Sequence, residues 1–175
     1  MRTSLRVLVL TGLAGLLLLL GVSAPPVANA AAAPTHYYSF TSHADGRALA
    51  VHRFYPSLST AVAESDDGTT RMHWGLKSRV GASDALLVSR STGACLTASN
   101  GYAVLAPCTN AGTQGWTLVY PGGPDHIEAP YGLRNTATQL VLTVGPNNWA
   151  GTPMELKPDY ALSSQRFWLD WRYTG

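Results

Sequence analysis

Two histidines stand two residues from an acid, His43 with Asp45 and His126 with Glu128. In extended chain, residues i and i+2 share a face, so either pair has the types that acid–base chemistry needs. Neither pair is completed by a third group. The sequence holds no Gly-x-Ser-x-Gly elbow, no His-Glu-x-x-His helix and no Gly-rich phosphate loop. No catalytic residue, metal-ligand set or cofactor is expected. His36, His43 and His52 offer at most a surface whose charge changes near neutral pH. Cys95 and Cys108 are expected to form a disulfide in an oxidising compartment; the alternatives are a metal site or a thiol nucleophile, and neither cysteine has the nearby His that these favour.

The elements around these residues follow a repeat. Three polar approaches end in an aromatic residue with Leu two positions on: Met72-His73-Trp74-Gly75-Leu76, Gln114-Gly115-Trp116-Thr117-Leu118 and Gln165-Arg166-Phe167-Trp168-Leu169. Each lies downstream of a small apolar run, Ala48-Leu49-Ala50-Val51, Cys95-Leu96-Thr97-Ala98 and Val141-Leu142-Thr143-Val144, and the runs recur about every 46 residues. A unit that short cannot bury its own apolar face and must share a core with its copies. Turn clusters such as Asp66-Asp67-Gly68, Ser99-Asn100-Gly101 and Gly145-Pro146-Asn147-Asn148 cut the chain too often for long helices. Short strands are expected, closed three-fold into a barrel. Alternation predicts Trp116, Leu118 and Tyr120 on one face, and Phe167, Leu169 and Trp171 on another, with Trp168 outward and in need of cover.

The N-terminus reads as an export signal over residues 1–30: Arg2 and Arg6, an apolar stretch from Val7 to Val22, then Ala28-Asn29-Ala30. Residues 31–175 are then a single secreted domain, with units at about 36–80, 81–123 and 124–175. Without Arg2 and Arg6 the ten Asp and Glu are matched by equal numbers of Lys and Arg, and no basic stripe exists. Neither nucleic acid nor a membrane is an expected partner.

Gln114-Gly115-Trp116, the repeat length, the cysteine pair within one unit and the export signal together resemble the ricin-type β-trefoil family, whose units end in Gln-x-Trp. The resemblance covers His36 to Trp171 and is strongest in the middle unit, where Gly93-Ala94-Cys95-Leu96 opens the copy. It weakens in the third, where Phe167 replaces Trp, and in the first, where Met72 replaces Gln. It implies an all-β, three-repeat β-trefoil in which Trp74, Gln114, Trp116, Gln165 and Phe167 are structural. It also implies a carbohydrate partner, because such units hold sugars with an Asp after the Cys-Leu element and an aromatic platform on the central strand. Here Ala50, Thr97 and Thr143 stand at the Asp positions, and Ala106 and Lys157 at two platform positions. An altered sugar site is therefore expected.

Two loops carry the groups for one. Thr143, Asn147, Asn148 and Trp149 with Glu155 combine hydroxyl, amides, acid and an aromatic face in the third unit; Thr97, Asn100, Tyr102 and Asn110 do so in the second. The rival expectation is a trefoil that has lost sugar binding and contacts a secreted protein through Trp168 and Phe54-Tyr55-Pro56.

Overall fold

A computed structural model describes residues 34–54, 59–120, 129–147 and 149–174. The export segment, Tyr55, Pro56, His126, Glu128 and Asn148 lie outside the described residues. Among the described residues no helix is long and apolar enough to cross a membrane.

Among the described residues, twelve strands fall into three groups of four. The first group is β1 (His36–Ser42), β2 (Arg47–Val51), β3 (Ala61–Ser65) and β4 (Trp74–Ser78). The second is β5 (Ala85–Ser89), β6 (Cys95–Ser99), β7 (Tyr102–Ala106) and β8 (Trp116–Val119). The third is β9 (Gly132–Asn135), β10 (Val141–Val144), β11 (Thr152–Lys157) and β12 (Phe167–Thr174). In each group a single 3-10 turn precedes the last strand: Thr70–Met72, Gly112–Gln114 and Ser163–Gln165.

The first and last strands of the groups pair into a ring. β12 runs against β1, β1 against β4, β4 against β5, β5 against β8 and β8 against β9, all antiparallel. A bridge from Tyr131 to Phe167 links the start of β12 to the residue before β9. The inner strands form the hairpins β2–β3, β6–β7 and β10–β11. These hairpins meet one another through β3–β11, β7–β11 and the Thr60–Val104 bridge. A six-stranded barrel under a triplet of hairpins is the β-trefoil arrangement, and its closure leaves few free sheet edges.

The repeat is visible in the core. Phe40, Leu87 and Leu133 occupy one set of related positions, Leu49, Leu96 and Leu142 a second, and Trp74, Trp116 and Phe167 a third; all nine are buried. Each such side chain contributes about 1.5–3 kcal/mol by leaving water. Trp74 and Trp116 add a second tie, donating their indole N–H groups to Leu49 O at 2.8 Å and Leu96 O at 2.9 Å. Phe167 fills the same space in the third unit without a donor.

Trp171 keeps the register of Phe167 and Leu169, opposite Tyr38, yet it is 58 % exposed rather than buried with them. The extra residue in β12 lies beyond it, where the pairing shifts and Tyr37 stands opposite Tyr173. Tyr120, just past β8, is also exposed and stacks edge-on against Tyr131. Trp168 points outward as its phase requires, and the His43 ring covers its edge at 5.6 Å.

Candidate functional site

The polar residues of the repeat divide into those that frame the units and those that face solvent. Gln114 and Gln165 are buried framing residues. Each Nε2 donates to a threonine hydroxyl, Thr97 Oγ1 at 3.1 Å and Thr143 Oγ1 at 3.2 Å, and to a proline carbonyl at 2.8 Å. Each Oε1 accepts a backbone N–H five residues upstream, from Thr109 and Tyr160, both at 2.8 Å. Thr97 and Thr143 also donate to Cys95 O and Val141 O. These two threonines, expected as ligand groups, therefore belong to the frame, and Thr143 is only 4 % exposed.

Asn110 is likewise a framing residue. Its Oδ1 accepts Val80 N–H, its Nδ2 donates to Val80 O and its own carbonyl accepts from Arg79. It sits at φ +61°, a left-handed conformation that Asn tolerates better than most residues. Asn100, at φ +49° before Gly101, forms the β6–β7 hairpin turn. Tyr102 is exposed and lies opposite Glu155 across the β7–β11 contact, while Glu155 pairs with Lys157 at 2.5 Å. Glu155 also lies opposite Thr143 across β10–β11, with its Oε1 near the Gly145 backbone, so it borders both the third-unit loop and the second unit's hairpin. The Cys95–Cys108 disulfide ties the start of β6 to the loop after β7. In the pair His43–Asp45, the acid is bound by Arg47 at 2.7 Å and accepts the Arg47 amide in its own turn.

The backbone of the third-unit loop is held from the first unit. Arg47 donates to Asn147 O at 2.8 Å, Trp149 O at 3.3 Å and Thr152 Oγ1 at 3.1 Å. That clamp leaves the Trp149 ring 57 % exposed. Gly151, at φ +85°, lies beneath it. A Cβ built there would fall 3.0 Å from His52 Nε2 and 3.6 Å from Trp149 Cζ3. The two rings are near neighbours, one from each unit, and glycine lets them approach.

Beside them opens a cleft of about 200 Å³, lined by His52, Arg53, Phe54, Glu64, Asp67 and Arg71, with Ala150 from the third unit on its edge. At its base, Arg71 joins two carboxylates: it pairs with Glu64 and, at 2.6 Å, with Asp67, and also donates to Val51 O. Glu64 is 4 % exposed and accepts the Arg53 amide at 3.1 Å; His52 Nδ1 lies 4.0 Å away and accepts the Phe54 amide. Burial pushes the Asp67 carboxyl up, but hydrogen bonds from Thr69 and Arg71 outweigh it and hold it well below the usual carboxylate range. The base is thus a network fixed by ion pairs and hydrogen bonds. At the rim, Phe54 is 75 % exposed, with the Arg53 guanidinium 5.7 Å from its ring centre.

The same network does not recur. Glu64, Asp67 and Arg71 lie eight, five and one residues before Met72; counted from Gln114 those places hold Ala106, Thr109 and Thr113, and from Gln165 they hold Lys157, Tyr160 and Ser164. Among the described residues no group of three His, Cys, Asp or Glu is placed to hold a metal ion.

No protein-family model matches the chain, and no curated protein matches it in sequence. Solved structures do match in shape. The chain is similar to ThreeFoil, a designed three-fold symmetric protein, at 23 % identity and TM-score 0.67 over 76 % of this chain and 96 % of that one. It is similar to a Macrolepiota procera ricin B-like lectin in complex with lactose, at 16 % identity and TM-score 0.64 over 79 % and 97 %. A mosquitocidal holotoxin matches at 17 % identity and TM-score 0.66, with 79 % of this chain but 17 % of the toxin covered. At such identities the likeness carries the fold alone. Taken with the barrel and its hairpin triplet, it establishes an all-β protein with a β-trefoil fold.

Proposed function

We propose that the chain is a secreted, noncatalytic carbohydrate-binding protein whose working site is the cleft of the first unit. The observation that carries this reading is the Glu64–Arg71–Asp67 network beneath an exposed Phe54. Adjacent sugar hydroxyls each offer one donor and an acceptor, so they suit a surface where carboxylate and guanidinium alternate. Because Arg71 already fixes both acids, little side-chain freedom remains to be lost on binding. An aromatic face at the rim covers the C–H face of a pyranose ring. The sugar complex of the similarly folded lectin supports the ligand class, and the disulfide is in keeping with export.

The test is retention on a broad glycan array by folded protein and by Phe54→Ala. Phe54 is largely exposed, so its removal is expected to cost under about 0.5 kcal/mol of stability. Specific signal that falls at least tenfold in the variant supports the site. A blank array rejects the carbohydrate reading and favours a protein partner; signal unchanged in the variant rejects this cleft.

A further inference from the structure

The cleft is small and its neighbourhood is not. About 200 Å³ lies below the ~300–1,000 Å³ of sites that enclose a drug-sized molecule, so a second sugar ring linked to one seated there lies outside the cleft. The surface next to the opening is not neutral ground. Ala150 is among its lining residues, and the next residue, Trp149, is 57 % exposed. Its backbone is pinned by Arg47 through Asn147 O, Trp149 O and the Thr152 hydroxyl, so the turn carrying the ring is held in place. Gly151 brings Trp149 and His52 together at a point where any Cβ would crowd the imidazole.

Resting on the carbohydrate reading, we infer that the site is a single composite one with two subsites, holding an oligosaccharide of two or more residues more tightly than a monosaccharide. One ring sits over the Glu64–Arg71–Asp67 base against Phe54, and the next lies on Trp149 of the third unit. The two subsites make different contributions. Charged groups in the cleft fix orientation through hydroxyls, whereas Trp149 adds apolar contact that one ring in the cleft does not reach. The second and third units lack the charged base, so chain-internal repetition does not multiply the site.

The probes are immobilised series of glucose, galactose, mannose and N-acetylglucosamine, each from one to four linked residues, read with wild type, Trp149→Ala and Phe54→Ala. Trp149 is exposed and its clamp uses its backbone oxygen and groups of other residues, so Trp149→Ala is expected to melt with the wild type; the melt is recorded alongside. In the series that binds, the inference expects the dimer to exceed the monomer by about tenfold or more, the worth of one aromatic contact. Trp149→Ala erases that gain and leaves monomer retention unchanged, while Phe54→Ala weakens both. Equal retention of monomer and dimer by wild type overturns the second subsite while leaving the carbohydrate reading standing. So does a Trp149→Ala variant that keeps the dimer advantage. Wild type that retains no member of any series overturns both.

Discussion

The Met72 thioether accepts the Asp67 backbone N–H at 3.4 Å, in the place where Gln114 and Gln165 take the same bond with an amide oxygen. The partner that completes the polar version has changed as well. Gln114 and Gln165 donate to Thr97 and Thr143, and the corresponding residue near Met72 is Ala50, packed with Ala48, Val62 and Met72 in a small apolar cluster. The first unit has exchanged a Gln–Thr pair for Met–Ala as a set.

Met72→Gln alone should therefore destabilise by about 1–3 kcal/mol, since the new amide N–H₂ would be buried without the threonine hydroxyl. Adding Ala50→Thr should recover about 0.5 kcal/mol or more of that loss. A double-mutant cycle by chemical denaturation measures the coupling, and strict additivity would show that the pair is not a unit.

Left-handed turn positions also repeat, with unequal residues. Gly68, Asn110 and Ala161 stand four residues before Met72, Gln114 and Gln165, all at positive φ, Ala161 at +56°. An L side chain in this conformation costs about 1–2 kcal/mol, partly offset by the roughly 0.5–1 kcal/mol by which glycine loosens the unfolded chain. Ala161→Gly is expected to stabilise by up to about 1 kcal/mol and Gly68→Ala to destabilise, both read from denaturant midpoints.

Cys95 and Cys108 close a loop with a sequence separation of 13. Replacing both by Ala should cost roughly 3 kcal/mol by freeing the unfolded chain. The loss is expected in stability with the strand content kept at low temperature, as circular dichroism before and during melting would report.

His73 is buried, with Nδ1 3.3 Å from the Arg90 guanidinium. Burial pushes its pKa below 6.5, and Arg90 and Arg172 push the same way against the weaker pull of Asp66 and Asp67. The unfolded chain then takes up this proton before the folded one. Stability should be unaffected by His73 above about pH 6.5 and should fall as pH drops below it. A further decline is expected below about pH 4. The ion pair with Arg79 holds Asp84 below the usual range, and hydrogen bonds from Arg166 and Arg134 do the same for Asp159 against its burial. Both carboxylates lose that advantage on protonation. Denaturation midpoints from pH 8 to 3 for wild type and His73→Gln separate the two: the variant should lose the first decline and keep the second.

The repeat was legible because three-fold closure forces equivalent inward positions, so Trp74, Trp116 and Phe167 keep time with Leu49, Leu96 and Leu142. The cleft was not, for two reasons. It lies in the unit whose ending is most altered, Met72 for Gln, and its edge is completed by Ala150 from another unit, which only the hairpin contacts bring near. The amides that drew attention, Asn100 and Asn110, serve turns and inter-loop ties. A signal did exist: in a chain only 13 % charged, Arg53, Glu64, Asp66, Asp67 and Arg71 crowd one stretch of the first unit. Charge density in a charge-poor sequence pointed closer to the cleft than polar loops did.

A single sugar site per chain, in the cleft of the first unit, is open to titration calorimetry with the best-retained oligosaccharide on wild type and Phe54→Ala. Wild type should take one ligand per chain and the variant should bind at least tenfold more weakly; two or three ligands per chain, or no heat from folded wild-type protein, would overturn it.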